Sequence, residues 1–185
     1  MEMDTILWRR VDAAGHDACR LVEKDEGWRL EGAAAFRHDD GTSACLAYEL
    51  SADGQWRTQE GTIRGWVGAR AFDFRITQQS PGIWTLNDQA VSHLEGCVDL
   101  DLGFTPATNL FQIRRIALQV GQGADVPVAW LDVFAGTLET LHQRYERRTV
   151  ATYWYEAPRF NYSALLHVNA TGFVEKYPNL WEAEP

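Results

Sequence analysis

Lysine is nearly absent from this 185-residue chain: of its 17 basic residues only Lys24 and Lys176 are lysines. Acidic residues number 26, so the formal net charge is −9. Nucleic-acid affinity rests on neutralising phosphates, and a surface of this sign repels a duplex or an RNA over most of its area. The basic clusters are small, Arg114-Arg115 and Arg144/Arg147/Arg148. Arginine grips carboxylate and phosphate in fork geometry, and a coding sequence biased toward arginine codons accounts for the same excess. Cysteine is scarce as well. Cys19, Cys45 and Cys97 are far apart and include no CxxC, an odd set that argues against a disulfide scaffold and lacks zinc-site spacing. There is no long hydrophobic run. The longest stretch without Asp, Glu, Lys or Arg runs from Phe160 to Val174 and contains Asn161, Ser163, His167 and Asn169, too short and too polar to span a membrane as a helix. The opening MEMDTILWRR has neither a basic n-region nor an apolar h-region, so the expected location is cytoplasmic. No low-complexity linker, charge run or internal repeat divides the chain, and one domain over residues 1–185 is expected.

What is present is a period of two. Trp28, Leu30, Gly32, Ala34 and Phe36 share a face, with Arg29, Glu31 and Arg37 opposite. Phe72, Phe74 and Ile76 alternate with Asp73, Arg75 and Thr77, and Tyr162, Ala164, Leu166 and Val168 with Ser163, Leu165, His167 and Asn169. Val150, Thr152 and Trp154 alternate with Ala151, Tyr153 and Tyr155. Such alternation makes half-buried strands. Turn chemistry separates the runs, at Lys24–Gly27, His38–Gly41, Ala52–Gly54, Ser80–Gly82, Asn87-Asp88 and Ala170–Gly172. The expected fold is all-β, many-stranded and mostly antiparallel, a roll or barrel-like domain with at most one short helix. Residues 137–147 read as a helix through Leu138, Leu141 and Tyr145, or as a strand through Glu139, Leu141, Gln143 and Tyr145; strand is preferred. Val11–Val22 can hold a helical turn, weakened by Gly15. The register slips between Ile113 and Ile116, and a β-bulge at Arg114-Arg115 is expected, or two strands with a bend. Gly121-Gln122-Gly123 reads as a hairpin turn.

The chain carries none of G-x-S-x-G, H-E-x-x-H, G-x-x-x-x-G-K or G-x-G-x-x-G. Its five histidines are isolated and read as surface or internally satisfied side chains. No metal and no cofactor is expected. The best carboxylate group is Glu95, Asp99 and Asp101, with Asp99 and Asp101 side by side on a strand face. Such a group can bind a cation or act as acid and base on a glycoside. It can equally be a solvated face opposite Val98, Leu100 and Leu102, or pair internally with Arg114 and Arg115. The aromatics divide in the same way. Trp28, Trp56, Trp66, Trp84, Trp130 and Trp154 are spread across the strands, and each can fill a core. Together with the 6 Tyr and 8 Phe they exceed what a small roll needs as filling, which favours a lined cavity.

The segment Gly96-Cys97-Val98-Asp99-Leu100-Asp101, followed by Thr105-Pro106-Ala107-Thr108-Asn109 and Ile113-Arg114-Arg115, resembles the hallmark of a bacterial family labelled "putative glycolipid-binding". Tyr48 before the Asp53 and Trp56 turn, Gln143-Arg144-Tyr145, Gly172-Phe173-Val174 and Tyr177-Pro178 extend the resemblance over nearly the whole chain. Two positions depart from the family pattern: Gln112 stands where proline is frequent, and Ala107 where a bulky residue is frequent. The resemblance implies a spiral β-roll and a binding protein for an amphipathic ligand such as a glycolipid. It brings no catalytic residues with it. The candidate ligand-binding residues are Asp99, Asp101, Thr105, Asn109, Arg114, Arg115, Arg144 and Tyr145. Trp and Tyr would cover the apolar part of the ligand. The alternatives are an enzyme acting on a sugar or acyl substrate through Glu95/Asp99/Asp101, and a structural role in which the motif only holds a bend.

Overall fold

The computed structural model describes residues 3–38, 40–80 and 82–185. The first eight strands are β1 (Met3–Arg10), β2 (Gly15–Lys24), β3 (Gly27–Arg37), β4 (Ser43–Asp53), β5 (Thr58–Val67), β6 (Arg70–Ser80), β7 (Ile83–Leu86) and β8 (Gln89–Val91). After β9 (Asp99–Asp101) comes the helix α1 (Asn109–Ile116). Then follow β10 (Gly123–Asp132), β11 (Thr137–Arg147), β12 (Thr152–Ala157), a 3-10 turn (Pro158–Phe160), β13 (Tyr162–Val168), β14 (Val174–Tyr177) and β15 (Trp181–Ala183). All fifteen strands form one open sheet in the order β8-β7-β6-β5-β4-β3-β2-β1-β15-β14-β13-β12-β11-β10-β9. The sheet is not a closed barrel, although it curls into a roll. Pairing of β1 with β15, Trp8 opposite Ala183 and Arg10 opposite Trp181, joins the two halves at its centre.

The alternating runs become strands as expected, except that Val150 and Ala151 precede β12; 137–147 is likewise a strand, β11. Inward positions carry the core: Leu30, Ala34 and Phe36 on β3, Phe72, Phe74 and Ile76 on β6, and Tyr153 and Tyr155 on β12 are buried. Position 32 of the same face is glycine because a Cβ there would collide with the Tyr48 hydroxyl. Of the expected turns, Asp39 in His38–Gly41 and Pro81 in Ser80–Gly82 lie outside the described residues.

Three expectations are corrected. Val11–Val22 holds no helical turn: β2 begins at Gly15 and buries Asp17, Cys19 and Leu21 in strict alternation. The slip at Ile113–Ile116 is neither a bulge nor a bend but the period of α1, whose residues Asn109 to Ile113 are all buried. Arg114 and Arg115 occupy its last turn, where the helix dipole favours cations. Ala117 closes it in the left-handed region, φ 43°, with its N–H on the Ile113 carbonyl. Gly121-Gln122-Gly123 is the turn from this helix into β10, with no hairpin: Gln122 N–H donates to the Gln119 carbonyl.

The helix has a topological cause. β9 runs parallel to β10, Asp99 beside Val128 and Asp101 beside Trp130. Parallel neighbours need a crossover, and α1 supplies it through the inside of the roll. β9 also lies on the opposite wall: Leu100 N–H donates to Thr58 Oγ1 at 3.2 Å, and a Cβ on Gly61 would meet Leu100 Cδ2 at 2.6 Å. No helix among the described residues is long and apolar enough to cross a membrane.

Candidate functional site

The crossover segment turns at one end of the roll, and α1 then runs back toward the other. Above the turn lies a cavity of about 440 Å³. Its walls are Phe36 of β3, Arg10 of β1, Trp130 of β10, Tyr155 of β12, Tyr162 of β13, Tyr177 of β14 and Trp181 of β15. Phe134 of the β10–β11 turn and Phe160 of the 3-10 turn stand at its mouth, and Phe160 is 51% exposed. Asp101, Phe104, Thr105 and Asn109 form the floor.

The rings are in mutual contact. Tyr155, Tyr162 and Tyr177 form a triangle with centroid separations of 6.2, 5.6 and 5.4 Å. Trp130 meets Phe160 edge-on at 5.3 Å. The Arg10 guanidinium lies over Phe36 at 5.2 Å and Trp181 at 5.5 Å, and its charge is met by Asp12, with Nε 2.9 Å from Oδ1. His38 packs on Phe134 at 3.9 Å and faces Asp40. Trp130 Nε1–H has no partner among the described residues, and Gly103 (φ +65°) makes room for it, since a Cβ there would lie 2.5 Å away.

Three polar groups hold the floor. Asp101 Oδ1 accepts from Gly103 N–H at 2.7 Å, and Oδ2 from Gln143 Nε2 at 2.8 Å. Among the described residues no cation pairs with it, and burial pushes its pKa up. Asp99, fully buried, takes a two-pronged Arg115: Nε to Oδ1 at 2.9 Å and Nη2 to Oδ2 at 2.6 Å. Burial pushes the Asp99 carboxyl up, and Arg115 opposes it. Tyr145, also fully buried, accepts from Asn109 Nδ2 at 2.6 Å and donates to Gln112 Oε1 at 2.5 Å. Beside these, Thr105 and Tyr48 both donate to Asp17, Tyr48 at 2.9 Å from Oδ2. Asp17 has no exposed surface, and burial pushes its pKa up to about 6.

Of the candidate residues, Asp101, Thr105 and Asn109 line the cavity. Tyr145 stands behind Asn109. Asp99 and Arg115 form a closed pair that is not part of the lining. Arg114 is elsewhere: its guanidinium lies 4.8 Å over Trp56 at the far end of the roll. Arg144 points outward and pairs with exposed Asp125 at 3.1 Å. Glu95 is exposed, so the Glu95/Asp99/Asp101 group is not assembled at the cavity, and burial of both aspartates excludes the solvated-face reading. Among the described residues no group of three His, Cys, Asp or Glu is placed to hold a metal ion. Of the tryptophans singled out, Trp130 lines the cavity, Trp84 is core, Trp66 is exposed, and Trp28 and Trp56 stack on each other at 4.3 Å. Sequence reasoning missed Arg10, Asp17 and the tyrosine triangle. For Asp17 a signal existed, because it alternates in phase with Cys19 and Leu21.

No curated protein matches the chain. A solved structure does: the crystal structure, at 1.80 Å resolution, of a DUF1089 family protein from Pseudomonas aeruginosa is similar to it, with 26% identity, a TM-score of 0.81 and 91% of each chain covered. The sequence pattern of the family described as "Putative glycolipid-binding" matches residues 5–183. With that span almost the whole sheet is accounted for, and the chain belongs to this family.

Proposed function

We propose that the protein binds an amphipathic molecule such as a glycolipid in the aromatic cavity. The observation that carries this reading is the cavity itself, about 440 Å³ with ring walls and a polar floor. Ligand pockets occupy roughly 300–1,000 Å³ and combine apolar walls with a few placed polar groups. The family description agrees with it. Trp130, Trp181 and the tyrosine triangle would take the apolar part, and Asp101, Thr105 and Asn109 the polar head. Asp99, Arg115 and Tyr145 position that floor. Three free cysteines suit a reducing compartment, so we assign the protein to the cytoplasm.

Burying a chain contributes roughly 0.8 kcal/mol per CH₂, so tail length should govern affinity. Decyl β-glucoside below its micellar concentration is expected to change tryptophan fluorescence and raise the melting temperature, with free glucose doing much less. If sugars, fatty acids and alkyl glucosides all leave both signals unchanged, the binding reading falls.

A further inference from the structure

The charge around the cavity is one-sided. Three carboxylates line it, Asp12, Asp101 and Asp132, against one arginine, Arg10, and one histidine, His38, which faces Asp40. That arginine is already neutralised: both its Nε and Nη2 face Asp12, and two ring faces sandwich it. Asp101 is 6% exposed, accepts from the Gln143 amide and the Gly103 N–H, and has no cationic partner among the described residues. Asp132 spends Oδ1 on the N–H groups of Phe134 and Ala135, at 3.0 and 2.9 Å, and likewise pairs with no cation.

The ring walls are an independent observation with the same sign. The faces of aromatic rings carry negative quadrupole potential and attract ammonium groups, most strongly where water is excluded. Tyr155, Tyr162 and Tyr177 surround one side of the cavity, and Asp101 lies on the floor they share.

We infer that the cavity selects amphiphiles whose head carries an ammonium group, and rejects those with an anionic head. This rests on the cavity-binding reading and deepens it. An ammonium in the cavity is flanked by the tyrosine rings and by the Asp101 side chain of the floor. A phosphate, sulfate or carboxylate head meets two carboxylates without cationic partners and, among the described residues, finds no free arginine: Arg10 is held by Asp12, and Arg159, stacked on Trp130, by Glu139. A neutral sugar head is admitted without this gain.

The test compares four probes sharing one tail, each below its micellar concentration: decyltrimethylammonium, a decyl glucosaminide, decyl β-glucoside and decanoate. Tryptophan fluorescence titrations give the dissociation constants. Both cationic probes are expected to bind at least tenfold tighter than decanoate, with decyl β-glucoside between. The two cationic arms separate a simple ammonium head from an amino sugar. Asp101→Asn is expected to weaken the cationic probes about tenfold and the glucoside less than twofold. If decanoate binds as well as the cationic probes, the selectivity is wrong while the cavity reading stands. If none of the four binds, both are wrong. The comparison on the unaltered chain decides the matter even where Asp101→Asn fails to fold.

Discussion

The two ends of the roll are built from the same side chains and do opposite things. At one end Trp130, Trp181 and three tyrosines ring an open cavity, with Arg10 stacked on two of the rings there. At the other, Trp28 and Trp56 stack face to face, Phe111 of α1 closes on Trp56 at 6.0 Å, and Arg114 caps the pile at 4.8 Å. The difference lies in the backbone. α1 enters the far end and fills it, whereas at the cavity end the crossover segment only turns. Aromatic content therefore does not mark a cavity; whether a chain segment occupies the space does. The comparison breaks if the crossover segment is not what separates the ends, and the strongest way to break it is to release that segment.

Arg115 ties the last turn of α1 to Asp99 on β9. Arg115→Ala leaves a fully buried carboxylate without its partner. Loss of one member of a buried pair costs roughly 3–5 kcal/mol, and urea unfolding of the variant should show a loss of that size. Arg144→Ala, at an exposed pair with Asp125, should change stability by less than about 1 kcal/mol. Equal effects would mean that Asp99–Arg115 does not anchor the helix.

At the cavity end the corresponding anchor is Asp17, which receives Thr105 and Tyr48 and pairs with no cation among the described residues. Its pKa in the fold is about 6, above the ordinary 3.8, so the folded protein holds a proton there that the unfolded chain releases. The ionised carboxylate opposes folding above pH 6, and this opposition fades as pH falls from 6 toward 4. That difference in pKa corresponds to roughly 3 kcal/mol. Asp17→Asn should stabilise the protein by up to that amount at pH 8, and the advantage should vanish near pH 4. A variant whose advantage is the same at both pH values would show that Asp17 is not strained in its ionised form.

The strands were legible because the pleat has a period of two and so did the sequence, from β3 through β13. The same rule already separates Arg144 from Tyr145: neighbours on a strand face opposite ways, so only one of them could look inward. α1 was not legible. Leu110, Phe111, Ile113 and Ile116 fit a short helix or a slipped strand equally well, and what decides is the parallel β9–β10 pair that requires a crossover. On a helix the successive Arg114 and Arg115 point about 100° apart, which sends one to Trp56 and the other to Asp99. The carboxylate pair was read correctly as sharing a strand face. Its division of labour was beyond local reading, since Arg115 and Gln143 lie 16 and 42 residues from their partners.

The third test exchanges a ring at each end. Trp56 is half-buried between Trp28, Phe111 and Arg114, so Trp56→Ala should cost about 2–3 kcal/mol, somewhat below the range for a fully buried tryptophan. It should leave the fluorescence response to decyl β-glucoside, read from Trp130 and Trp181, in place. Phe160→Ala removes a half-exposed ring at the cavity mouth and should cost less than 1 kcal/mol, while weakening the glucoside. Opposite rankings in stability and binding are what two ends with separate duties require.

The smallest expected effect concerns Arg114, and it sharpens the comparison most finely. Both ends place an arginine on aromatic faces, but Arg10 is balanced by Asp12, while among the described residues Arg114 pairs with no carboxylate. Its hold on the far end is therefore the ring face of Trp56 and the packing of its methylenes on Gly172, where a Cβ would lie 3.1 Å from Arg114 Cδ. An exposed cation–π contact is worth roughly 0.5–1 kcal/mol. Arg114→Lys, which keeps charge and stem but loses the planar stacking group, should cost only part of that, and Arg114→Ala all of it, with no change in the glucoside titration. Because the contact involves no opposite charge, the loss should persist at high salt, where a surface ion pair would be screened. If Arg114→Ala instead weakens ligand binding tenfold, the far end is coupled to the cavity through α1, and the helix is a working link between the two ends instead of a plug in one of them.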